Sequence, residues 1–70
     1  MKLTVEDFNR YINKDFMLRP DGLVTTFDST LVAVNEINGK IMLDVKLKGI
    51  GVQEVTASKK ILDDMKRANR

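Results

Sequence analysis

The sequence predicts an α+β fold: a small antiparallel meander sheet of four to five strands, with a short N-terminal helix and a C-terminal helix packed on one face. Three observations point there. Thr4 and Asp7 have the spacing of a helix-opening capping box. Asn38-Gly39 divides two runs of alternating apolar residues, the pattern of a tight β-hairpin. Ile61, Leu62 and Met65 recur at helical spacing near the other end of the chain.

Length and composition bound what such a fold can be. The chain has 70 residues, and residues 1–70 read as a single domain. A chain of this size buries only about 60–65% of its unfolded surface, and a core in this size range rarely supplies more than roughly 3–5 kcal/mol. Such a domain must use its apolar residues efficiently or share a surface with a partner. Cysteine is absent, which removes disulfides and thiolate metal sites. Histidine is absent too, and with it the commonest general base and zinc ligand.

The first apolar residues, Leu3, Val5 and Phe8, are interrupted by Thr4, Glu6 and Asp7, unlike the apolar core of a signal peptide. No window approaches the ~20 apolar residues of a membrane span. A soluble, cytoplasmic protein with no membrane partner is the expectation.

The elements follow in order. Thr4 caps the first helix, Asp7 answers it from the third helical position, and Leu3 with Phe8 fits a hydrophobic staple. Glu6 and Asp7 sit where the helix dipole favours negative charge. Val5, Phe8 and Ile12, with Tyr11 beside them, form the apolar stripe, and Asn13 marks the end. A helix of about eight or nine residues does not persist alone and must dock.

Phe16 to Arg19, the turn Pro20-Asp21-Gly22, and Leu23 to Phe27 read as a first hairpin, with Asp28-Ser29 as a loop after it. The second hairpin centres on Asn38-Gly39 in a type I′ turn. Its register puts Ile37 opposite Lys40, Glu36 opposite Ile41, Val34 opposite Leu43, Val32 opposite Val45 and Thr30 opposite Leu47. Val32, Val34, Ile41, Leu43, Val45 and Leu47 then share the core face. Gly49-Ile50-Gly51 is a bend, and Val52 to Thr56 is a last strand. Thr56 or Ser58 caps the final helix, which runs to about Ala68. Lys59–Asp63, Lys60–Asp64 and Asp63–Arg67 have the spacing of ion pairs on its outer side.

Catalytic chemistry finds little support. Ser29 and Ser58 have no histidine to activate them and read as a turn residue and a helix cap. Asp63 and Asp64 diverge by ~100° on a helix, and each has a basic partner one turn away, so they read as a solvated helix face rather than a metal site. The two glycines of Gly49-Ile50-Gly51 lack the rest of a dinucleotide fingerprint. No catalytic residue, metal ligand, cofactor or small-molecule substrate is assigned.

Two binding surfaces remain. The second face of the long hairpin mixes Leu31, Ala33, Ile37 and Met42 with Lys40, Asp44 and Lys46. It is a candidate docking surface for another protein or a second copy of the chain. Any uncovered edge strand offers a further route, by strand pairing. The expected function is therefore a small non-enzymatic protein-binding module, acting as adaptor, inhibitor or self-assembling subunit through a sheet face, a sheet edge or a helix surface.

The alternative is nucleic-acid binding by the C-terminal helix through Lys59, Lys60, Lys66, Arg67 and Arg70. Against it stand a net charge of only +2, the repulsion of phosphate by Asp63 and Asp64, and the lack of stacking rings. The four aromatics, Phe8, Tyr11, Phe16 and Phe27, all lie in the N-terminal part.

Overall fold

The computed structural model describes residues 2–19 and 24–70. The described chain runs α1 (Val5–Asn9), β1 (Asp15–Leu18), β2 (Phe27–Ile37), β3 (Lys40–Leu47), β4 (Gly51–Thr56) and α2 (Lys59–Ala68). The strands form one antiparallel meander sheet in the order β1-β2-β3-β4. Each strand therefore pairs with its neighbour in sequence, as short connections favour.

Local chemistry accounts for the element ends. The Thr4 side chain accepts from the Asp7 N–H at 3.3 Å, and Asp7 Oδ2 accepts from the Thr4 N–H at 2.9 Å. Both halves of the capping box are thus made. The helix it opens has five residues, fewer than expected, and continues as turns to Asn13. There the backbone becomes left-handed, with φ 69°. Ser58, not Thr56, caps α2 and accepts from the Ile61 N–H at 3.2 Å. Asn38 and Gly39 have φ 51° and 78°, the positive pair a type I′ turn needs.

Among the described residues four strands form, within the four to five expected. β2 starts at Phe27 and runs straight through Asp28 and Ser29, the expected loop. Its first residues pair directly with β1, Leu18 with Phe27 and Phe16 with Ser29. The two expected arms of β2 are one strand, which pairs with β1 at its start and with β3 along most of its length. Val24 to Thr26 are not in a strand. The expected Pro20-Asp21-Gly22 turn and Leu23 lie outside the described residues.

A second correction concerns the register of the long hairpin. From its turn the pairing holds as expected through Ile37–Lys40, Glu36–Ile41 and Val34–Leu43. It holds as far as Ala33–Asp44 and then shifts: Leu31 faces Val45 instead of Lys46, leaving Val32 as an extra residue. Such a β-bulge reverses which alternate residues face inward. Leu31 is fully buried and Val32 is 42% exposed, the opposite of uninterrupted alternation. Thr30 consequently faces Lys46, and Ser29 faces Leu47. The bulge lies where the chain from α1 meets β2. The Leu31 carbonyl accepts from Asn13 N–H at 2.7 Å, and the Leu31 N–H donates to the Lys14 carbonyl at 3.2 Å. Leu31 is thereby bonded on the β1 side, and its side chain lies in the core.

One core results. Phe8 from α1, Leu62 and Met65 from α2, and Phe16, Leu18, Leu31, Leu43, Val45 and Leu47 from the strands form a single buried cluster. Leu3, Tyr11, Val34, Ile41, Val55 and Ile61 pack around it. Both helices contribute to this cluster, so they cover the same sheet face. The one buried polar residue among those described, Ser29, donates its hydroxyl to the Phe27 carbonyl at 2.9 Å. It is thus a satisfied strand residue, not the expected turn residue.

Candidate functional site: the outer face and free edge of the sheet

With both helices on one face, the other face of the sheet has no cover among the described residues. Cross-strand pairing assembles it in rows. Asp15, Thr30, Lys46 and Val52 make one row; Ala33, Asp44 and Glu54 the next; Asn35, Met42 and Thr56 a third; Ile37 and Lys40 the last, beside the turn. Its apolar content is scattered. Met17, Ile37 and Val52 are about half exposed, and Ala33 and Met42 are partly covered.

Of the four residues expected to form a docking face, the structure brings Ala33, Ile37 and Met42 to this side. Leu31 is removed from the set by the bulge and belongs to the core. A depression of about 650 Å³ opens broadly to solvent beside Asp15, Asp28, Lys46 and Lys48. Its lining mixes charges of both signs. Among the described residues no group of three or more acidic side chains could hold a metal ion. No described helix is long and apolar enough to cross a membrane.

The edges of the sheet differ from each other. In an antiparallel ladder the bonded residues alternate. The Ala57 N–H donates to the Ile41 carbonyl at 2.9 Å, so Val55, Gln53 and Gly51 are the residues of β4 whose backbone bonds reach β3. The Lys48 N–H donates to the Asp28 carbonyl at 2.9 Å, so the even-numbered residues of β3 serve β2, in agreement. Val52, Glu54 and Thr56 therefore direct their N–H and C=O groups away from the sheet. No described residue bonds to these groups.

The opposite edge, β1, is four residues long and partly closed. The Asp15 carbonyl accepts from Asn69 Nδ2 at 3.1 Å, while the same amide holds the Met65 carbonyl at 2.9 Å. The end of α2 thus blocks part of that edge. β4, with six residues, is the longer and more open edge.

The same three residues place their side chains on the uncovered face. Glu54 stands directly opposite Asp44, so two carboxylates share one row. Asp44 has a single polar contact, from Asn35 Nδ2 at 3.5 Å. The only ion pairs among the described residues lie elsewhere, on α2. Lys46, opposite Val52, is the nearest cation in the register and sits diagonally to Glu54. Thr56 Oγ1 is 3.7 Å from the Met42 sulfur, which joins the edge to the apolar part of the face.

The basic residues of α2 are all exposed. Asp64 holds two of them. Its carboxylate pairs with Lys60 at 3.5 Å and with Arg67 at 3.3 Å. Arg67 thus turns to Asp64 rather than to Asp63, the partner its spacing suggested. Lys59, Lys66 and Arg70 make no ion pair among the described residues.

No protein-family model, curated protein or solved structure matches this chain.

Sequence reasoning missed Val52, Glu54 and Thr56 as a unit. A signal was present. In a meander the last strand is necessarily an edge, and alternate residues of that strand face outward together.

Proposed function

We propose that this protein is a small non-enzymatic binding module that takes up an extended segment of another protein along β4. The observation that supports this reading is the unbonded outer edge of β4, where Val52, Glu54 and Thr56 offer three successive sets of backbone donors and acceptors. A strand laid there gains main-chain hydrogen bonds for affinity and side-chain neighbours for specificity. The partly apolar face behind the edge, with Met42 and Val52 beside it, adds contact area.

The α2 surface supports the nucleic-acid reading less. Asp64 occupies Lys60 and Arg67, which lowers the positive field that phosphate binding needs.

A proline substitution tests the edge without disturbing the ladder. Glu54→Pro removes an outward N–H only, a position where strands tolerate proline. Its melting temperature should stay within about 5 °C of the wild type. Proteins cross-linked to the wild-type chain in its host should be lost from this variant. Full retention of those partners by a folded Glu54→Pro chain would refute docking at β4.

A further inference from the structure

Resting on that reading, we infer the chemistry of the partner: a strand of a different protein that places a lysine or arginine opposite Glu54, between two apolar or β-branched residues two positions away on either side.

The edge itself argues for this. The row Ala33–Asp44–Glu54 ends at the open side of the sheet. Two carboxylates face each other in it, and neither has a cation within ion-pair range among the described residues. Like charges directly across a ladder disfavour the pairing, and opposite charges favour it. A basic side chain added at the end of this row is the missing neighbour of Glu54. On either side Val52 and Thr56 are β-branched, which suits apolar or β-branched cross-strand partners.

The same row disfavours a second copy as the occupant. A two-fold antiparallel pairing that uses all three outward residues must centre on Glu54. It sets Glu54 against the Glu54 of the other chain, and Val52 against Thr56. Four carboxylates would then adjoin along one row. An exposed charge at an open edge is a known barrier to such self-pairing. A basic strand turns that barrier into an attraction.

Two capped heptapeptides, TVTKTVT and TVTETVT, test the inference when titrated into the full chain at low salt and followed by backbone amide shifts. Centred antiparallel on Glu54, they differ only in the residue beside it. The lysine peptide should bind about fivefold more tightly, with shifts concentrated in β4. That preference should shrink at high salt, disappear in Glu54→Gln and reverse in Glu54→Lys. Equal binding of both peptides, abolished for both by Glu54→Pro, would overturn the basic partner while leaving strand docking intact. Binding of neither peptide at millimolar concentration would overturn strand docking, and this inference with it.

Discussion

Truncating Leu31 empties space in the core, where it is fully buried, whereas truncating its neighbour Val32 trims a side chain that is 42% exposed. Leu31→Ala should therefore cost about 2–5 kcal/mol in urea unfolding, and Val32→Ala under about 1 kcal/mol. Equal costs would contradict the bulge. Gly39 makes a different demand. Its φ of 78° strains a β-branched side chain, so Gly39→Val should lose about 1–3 kcal/mol by the same measurement. Val45 is fully buried, and Val45→Asp, which buries an unpaired charge, should leave the chain without a cooperative thermal transition. The turn at Gly39 and the placement of Val45 were legible because turn chemistry and alternation act locally and agree. The exchange of Leu31 for Val32 was not. It goes with the hydrogen bonds that Leu31 accepts from Asn13 and donates to Lys14, far away in sequence, and both side chains are apolar, so neither face showed a conflict.

At the scale of elements, caps and edges carry the testable statements. Ser58→Ala removes the bond to the Ile61 N–H and should cost about 1 kcal/mol. Proline in β4 should discriminate sharply between adjacent positions. Glu54→Pro deletes an outward group, while Val55→Pro deletes a bond to Leu43 and leaves its buried carbonyl unsatisfied, at roughly 1–3 kcal/mol. Comparable melting temperatures for the two would contradict the assignment of the free edge. Both helices and the hairpin could be read from the sequence, because each has a period, a cap or a turn of its own. The fusion of two expected arms into one long β2 could not. Asp28 and Ser29 have loop-forming side chains, yet pairing with β1 and β3 on either side of them overrides that preference. Their buried or outward positions follow from the neighbours, not from their own propensities.

For the whole molecule, the arrangement buries one sheet face and exposes the other. One sheet face and two helices enclose nine buried apolar residues among those described, and the remaining face and the β4 edge stay open, where the proposed function places a partner. The expectation of a protein-binding role came from the lack of histidine and cysteine, the small core and the partly apolar second face of the hairpin. The edge became identifiable only once register decided which backbone groups point outward. Amide hydrogen exchange tests that point most directly. In the free chain, the amides of Val52, Glu54 and Thr56 should exchange much faster than those of Gln53 and Val55, and they should become protected when the lysine-centred strand is added. A Glu54 amide as protected as that of Val55 in the free chain would contradict an open edge at β4 and remove the basis of the proposed function.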